Sequence, residues 1–386
     1  MTTTINDEHK KLNVPNSTDY GNAFRNVPGL RFPEFQGEWE KCKLGEICEV
    51  LMCKRILASQ TNTEGGVPFY KIGTIGGTPD AFISKELFET YKTKYNYPQK
   101  GEVMITCAGT VGKCIIYDGK DAYFQDSNIV WIDNFSHLIS NDFLYHLLSN
   151  VDWRKLNSTT IVRIYNDDLR NIKLSYPNIA EQKKIARLLS HLDERIAIQS
   201  KVIDKLQSLI KGIAHKISKQ GMPNVRLSEC LLCSSSTLQE SDVAEVGAYP
   251  VYGANGVVGY LDTYNTTSEA VYIIKDGSGV GSVSYVKGKC SATGTLNILQ
   301  AKDGFSLRFL YFMLKVFSFE PYKTGMAIPH IYFKDYGKAK VFCPSYTEQF
   351  QYARLLSAID NKLSIEQNIL TELSLQKQCL LRQMFI

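Results

Sequence analysis

Apolar residues recur in alternating steps of four and three along two stretches of the chain. The first runs Ile185, Leu189, Leu192, Ile196, Gln199, Ile203, Leu206, Ile210, Ile213 and Ile217, with Gln199 its one polar member. Such a seam is the signature of a helix that buries one stripe against a partner helix, and it predicts a helix over 178–220. Adding 167 to each position gives Tyr352, Leu356, Ile359, Leu363, Glu366, Leu370, Leu373, Lys377, Leu380 and Met384, a second helix over 345–386. The second seam is less pure, yet its first polar member, Glu366, falls where Gln199 does. Each helix opens with a capping-box pattern, Asn178 to Glu181 and Ser345 to Glu348. Gly212 is a soft spot near the end of the first.

The shared offset marks an internal repeat. Between Glu181–Asp193 and Glu348–Asp360, 8 of 13 positions are identical. The likeness continues upstream more weakly. Ile164-Tyr165 and Asp168 match Ile331-Tyr332 and Asp335, while Phe143-Leu144-Tyr145 matches Phe309-Leu310-Tyr311 with a slip of one residue. The chain therefore reads as variable domain, helix, variable domain, helix. Two such helices are most economically packed antiparallel on each other, which gives a direct repeat pseudo-two-fold symmetry and places the variable domains at opposite ends.

The variable segments alternate short apolar runs with glycine turns: Val67–Gly73, Val103–Thr106, Ile129–Ile132, Ala270–Ile274 and Leu296–Leu299 are strand signals. Asp142–Leu148 and Leu307–Val316 read as short helices. The expected fold class is α+β: two domains separated by two long antiparallel coiled-coil helices, with a pseudo-two-fold internal repeat. The divisions are a polar tail over 1–26, a first domain over 27–177, a helix over 178–220, a second domain over 221–344 and a helix over 345–386.

Composition changes the picture only by exclusion. With 44% hydrophobic and 22% charged residues the chain is globular, neither disordered nor membrane-embedded. Met1–Lys11 lacks the apolar core of a secretory signal, and no stretch is long and apolar enough to span a bilayer. Ten cysteines without a regular framework fit a reducing cytoplasm. A net charge of +5 permits a polyanionic partner without announcing one.

Residues suited to duplex DNA are Lys92, Lys94, Tyr95, Arg163 and Tyr165 in the first domain, and Tyr322, Lys323, His330, Tyr332 and Lys334 in the second. The segment 308–341 carries six Lys or Arg against two acids. Basic side chains neutralise phosphates, and Tyr, Asn and Arg reach base edges. Catalytic motifs nearly appear and then fail. Gly109–Lys113 resembles a phosphate loop, but Cys107 stands where the first glycine belongs and Cys114 replaces the hydroxyl, so a glycine turn between two strands is expected. Asp80, Asp118 and Lys120 resemble a nuclease set, although Asp118-Gly119 reads more simply as a hairpin turn. Cys230 and Cys233 lack a second pair at zinc spacing and read as packed thiols. No histidine spacing suggests a metal, and no Asn-Pro-Pro or Asp-Pro-Pro of an adenine methyltransferase occurs.

The opening Val27-Pro28-Gly29-Leu30-Arg31-Phe32-Pro33-Glu34-Phe35, with Trp39 and Leu44-Gly45-Glu46-Ile47, resembles the type I restriction–modification specificity subunit family. So do the two Pro-x-x-x-Glu-Gln helix starts. The second domain departs from the pattern by opening at Asn224-Val225-Arg226-Leu227 without that prelude. The resemblance implies that each variable domain is a target recognition domain for one half of a bipartite site in double-stranded DNA. It further implies that the helices, through seam positions Ile185, Leu189, Leu192, Ile196, Ile203, Leu356, Ile359, Leu363 and Leu370, serve as spacer and as dock for two methyltransferase subunits. Motor-nuclease restriction subunits would join them. This chain would then bind no cofactor of its own, with S-adenosylmethionine, ATP and Mg on its partners, and no membrane would be involved. Two other readings stay open: a nuclease using Asp80, Asp118 and Lys120, and a coiled-coil scaffold with two carbohydrate- or peptide-binding lobes.

Overall fold

The computed structural model describes residues 26–153, 163–277 and 279–386; all of the polar tail but Asn26 lies outside them. The chain forms two compact units. The first holds the residues up to Glu194 together with Ser374–Ile386, and the second holds Arg195–Leu373.

In the first unit the chain runs β1 (Glu40–Lys43), α1 (Leu44–Ile47), β2 (Glu49–Met52), β3 (Val67–Tyr70), β4 (Phe82–Ile83), α2 (Lys85–Lys94) and β5 (Val103–Thr106). It continues through β6 (Cys114–Ile116), β7 (Tyr123–Phe124), β8 (Ile129–Asp133), α3 (Asn141–Ser149), α4 (Asn166–Arg170) and β9 (Lys173–Tyr176) into α5 (Ile179–Ser218). The strands form a four-stranded sheet ordered β2-β8-β5-β6, a three-stranded sheet ordered β4-β3-β7, and the pair β1-β9. The apolar run Val103–Thr106 is buried throughout because both faces of its sheet are covered. Val103 and Ile105 pack with Phe143 and Leu144 of α3 and with Ile185 and Leu189 of α5. Met104 points the other way, to Phe69, Phe88 and Tyr123.

The second unit repeats this plan. Its elements are β10 (Val225–Arg226), α6 (Leu227–Cys230), β11 (Leu231–Ser235), β12 (Tyr249–Gly253), β13 (Gly256–Leu261), β14 (Glu269–Ile274), β15 (Val283–Lys287) and β16 (Ser291–Ala292). They are followed by β17 (Leu296–Ala301), α7 (Leu307–Val316), α8 (Phe333–Tyr336), β18 (Lys340–Val341) and α9 (Tyr346–Met384). The sheet orders β11-β17-β14-β15, β13-β12-β16 and β10-β18 match those of the first unit strand for strand. Even the unusual parallel pairing, β3 with β7, returns as β12 with β16. The repeat is thus far more complete in topology than in sequence. Among the described residues α2 has no counterpart between β13 and β14.

Every seam position on α5 and α9 is buried or half-buried. Within the second unit the Gln199 amide donates to the Glu366 carbonyl at 2.9 Å and to its carboxylate, while the Tyr352 hydroxyl donates to Gln220 Oε1 at 2.9 Å. Rising numbers on one helix meet falling numbers on the other, so the pair is antiparallel. Gln199 and Glu366 are repeat counterparts in contact with each other, as pseudo-two-fold symmetry requires. In the first unit Lys377 pairs with Asp193, and Leu381 and Met384 share a core with Ile185 and Leu189.

Two expectations need correction. The capping box at α9 is complete: Glu348 N–H donates to Ser345 Oγ at 3.4 Å, and Ser345 N–H donates to Glu348 Oε2 at 3.1 Å. At α5 only half of it forms. Asn178 Oδ1 accepts from the Ala180 and Glu181 amides, but both Glu181 carboxylate oxygens are taken by Arg31 at 2.7 Å. A buried carboxylate gains more from a two-pronged guanidinium than from one amide. The turn at Asp118-Gly119 is also real but is no hairpin, because it joins β6 to β7, which belong to different sheets. The Gly109–Lys113 turn does join paired strands, β5 and β6.

Candidate nucleic-acid interface

In the first unit Tyr95 caps the C-terminus of α2. The ammonium groups of Lys94 and Lys54 lie 5.8 and 5.5 Å from its ring centroid. Next to Lys54, Arg55 Nε stands 3.7 Å from Asp126. Beyond Asp126, Ser127 Oγ accepts from Arg163 Nη2 at 3.2 Å, and the Arg163 guanidinium lies 5.8 Å from the Tyr165 ring. Tyr165 is exposed. A continuous basic and aromatic rim therefore joins four of the five residues singled out from sequence. The fifth, Lys92, is turned to Asp121 at 3.0 Å and sits over Phe88 and Tyr97. Lys54 and Arg55 were missed; a basic pair directly after the apolar run of β2 was the available signal.

In the second unit His330 meets the Tyr332 ring at 5.6 Å, and Lys334 Nζ lies 5.2 Å from the same ring. Thr324 and His330 exchange backbone hydrogen bonds at 2.9 and 2.8 Å, closing a loop whose tip exposes Met326 fully and Ile328 largely. That apolar tip was also missed. At the loop's base Tyr322 stacks on Phe317, and Lys323 pairs with Glu320.

The two rims occupy the same register. Arg163-Ile164-Tyr165 corresponds to His330-Ile331-Tyr332, each a nitrogen base followed two residues later by an exposed ring. Ile164 N–H donates to Cys107 O at 2.8 Å, and Ile331 N–H donates to Lys275 O at 2.9 Å. The neighbouring glycine turns also coincide, with Gly112 N–H on Thr106 O and Gly281 N–H on Ile274 O. Gly112 has φ +81°, and a Cβ there would stand 2.0 Å from the Trp153 ring. Only glycine fits, for packing rather than for phosphate.

The nuclease-like residues are paired locally, Asp80 with Lys71 at 3.0 Å and Asp118 with Lys120 at 2.9 Å. Burial pushes the Cys107, Cys114 and Cys230 thiols up to about 12 and Cys233 up to about 11, so they stay protonated. Among the described residues no three His, Cys, Asp or Glu side chains group as metal ligands. Among them, too, no helix is long and apolar enough to cross a membrane.

The seam residues face inward. Ile185, Leu189 and Leu192 are buried in the first unit, Ile203, Leu356 and Leu363 in the second, with Ile196, Ile359 and Leu370 half-buried. The helices leave other apolar side chains exposed, among them Ile198, Leu355, Ile365 and Leu375.

The family described as type I restriction modification DNA specificity domain matches twice, over residues 36–208 and 225–375. The chain belongs to this family. A Haemophilus influenzae protein described as a type I restriction enzyme specificity subunit is 50% identical over 151 residues, 39% of each chain. The EcoprrI specificity subunit of Escherichia coli is 27% identical over 126 residues, 33% of this chain and 30% of that one. The matched stretches thus span well under two thirds of these relatives' own lengths. The crystal structure of the type I S subunit from M. genitalium superposes with a TM-score of 0.68 at 20% identity, covering 93% of this chain and 99% of that one. This likeness shows the fold.

Proposed function

We propose that this chain is the DNA-specificity subunit of a cytoplasmic type I restriction–modification complex, with no catalysis of its own. Each unit reads one half of a bipartite site in double-stranded DNA. The outer faces of α5 and α9 dock two methyltransferase subunits, which bring S-adenosylmethionine, and motor-nuclease subunits using ATP and Mg join that core. The observation that carries this reading is the recurrence of an exposed base-plus-ring pair, Arg163–Tyr165 and His330–Tyr332, at one register of a duplicated fold. Cations on such a rim hold phosphates, and rings and amides beside them reach bases. The test is to exchange residues 39–177 for the first variable domain of another family member and map methylated adenines genome-wide. One half-site changes and the other stays; a change in both would overturn independent reading by the two units.

A further inference from the structure

The first unit carries a polar cleft on its basic and aromatic rim. The loops after β2 and β3 and the turn at 125–128 enclose about 530 Å³, lined by Arg55, Lys71, Gln125, Asp126, Asn128 and Arg163 among others. Its lining holds three cations, two carboxamides and a single acid, Asp126, which stands beside Arg55, while Lys71 pairs with Asp80. Gln125 Oε1 accepts from the Ile72 amide at 3.3 Å, which orients its carboxamide. Asn128 is half-buried, and its carboxamide has no hydrogen-bond partner among the described residues. A carboxamide reached by solvent and unpaired within the protein can both donate to and accept from a ligand.

Strand register identifies the corresponding place in the second unit. Tyr70 pairs with Phe124 as Tyr252 pairs with Ala292, so Lys71 corresponds to Gly253 and Gln125 to Thr293. There the Thr293 and Thr295 hydroxyls bond each other at 2.8 Å, and a Cβ on Gly253 would meet the Glu240 carboxylate at 2.8 Å. At that place a hydroxyl bonded to its neighbour and an acid stand where the first unit has a carboxamide and a cation.

We propose that the cleft is the base-reading site of the first unit and that Asn128 is a specificity-determining residue within it. Gln125 lies on the same turn as Asn128, and Arg163, held by Ser127, supplies the cation that keeps the backbone close. A carboxamide offers donor and acceptor side by side, which matches the N6 amino group and N7 of adenine in the major groove. The proposal rests on the reading of the chain as a DNA-specificity subunit.

The test uses the full chain co-produced with its methyltransferase partner, with methylated sites mapped genome-wide. Asn128→Ala should lower the preference at one position of the first half-site about tenfold or more, the scale of one bidentate base contact. The second half-site should stay unchanged, and its persistence shows that the variant is folded. Asn128→Asp keeps the size but loses the donor, so it should shift the preferred base at that same position. Should Asn128→Ala weaken methylation overall while every base preference persists, Asn128 touches phosphate and the proposal is overturned. Unaltered sites in both variants would overturn it equally. A wild-type complex that methylates no bipartite site would instead overturn the proposed function.

Discussion

The two units use the same helix-start residues in one way where the fold needs them and in different ways where it does not. Gln182 and Gln349 behave alike. Each accepts from the amide of the residue capping a short helix, Ser140 ahead of α3 and Ser306 ahead of α7, at 2.8 and 2.9 Å. Each also donates to the carbonyl of the proline five residues earlier. The preceding glutamates diverge: Glu348 closes its own capping box, while Glu181 holds Arg31 from a prelude that the second unit lacks. The Ser-x-x-Asp that follows diverges too. Ser357 and Asp360 take Arg308, whereas Ser190 takes His146 and Asp193 takes Lys377. The glutamine therefore ties each long helix to the start of a short one, and the neighbouring polar groups take whichever partner each variable domain supplies.

The largest expected effect breaks this comparison at the glutamates. Arg31→Ala leaves the fully buried Glu181 side chain unpaired and should cost about 3 kcal/mol of stability. Glu348→Ala loses only an exposed cap, worth about 1 kcal/mol. Adding Glu181→Gln to Arg31→Ala should recover most of the loss in denaturant unfolding. Equal costs for Arg31→Ala and Glu348→Ala would mean that the prelude does not hold the helix start.

A pH difference of similar size separates the units. Burial holds His146 neutral, lowering it to about 4 from its ordinary 6.5. The unfolded chain takes up this proton near pH 6.5 and the folded chain only near 4, so acid favours unfolding. The contribution of His146 is complete above pH 6.5 and is lost as pH falls from 6.5 to 4, by roughly 3 kcal/mol in all. In the second unit the buried Phe312 occupies the matching place and does not titrate. Hydrogen exchange at pH 7 and pH 5 should show the first unit loosening first, and His146→Phe should flatten the difference. An unchanged pH profile in that variant would assign the acid sensitivity elsewhere.

The smallest effect sharpens the shared feature. Gln182→Ala and Gln349→Ala should each cost about 1–3 kcal/mol, since each leaves a helix-capping amide and a proline carbonyl without a partner. Gln182→Ala should be somewhat costlier, because Gln182 also donates to Leu138 O at 2.9 Å. A silent Gln349→Ala would show that α9 and α7 are joined by packing alone.

The periodic parts of this molecule were legible in its sequence. The seam of α5 and α9 could be read residue by residue, because a helix that buries one stripe must repeat it every turn whatever surrounds it. Leu307–Val316 and Val103–Thr106 were likewise bounded correctly from sequence, and Ser306 caps the first of them in the structure. What a buried strand's composition does not encode is its neighbour. Only the tertiary structure decided that β6 and β7 lie in different sheets, that Arg31 reaches Glu181 across 150 residues, and that Lys54 and Arg55 complete the rim of Tyr95 and Arg163. The physical reason is the range of the forces involved. Helical periodicity is a local consequence of backbone geometry, whereas a half-buried cation or carboxamide takes its meaning from partners that only the folded chain brings within hydrogen-bonding distance.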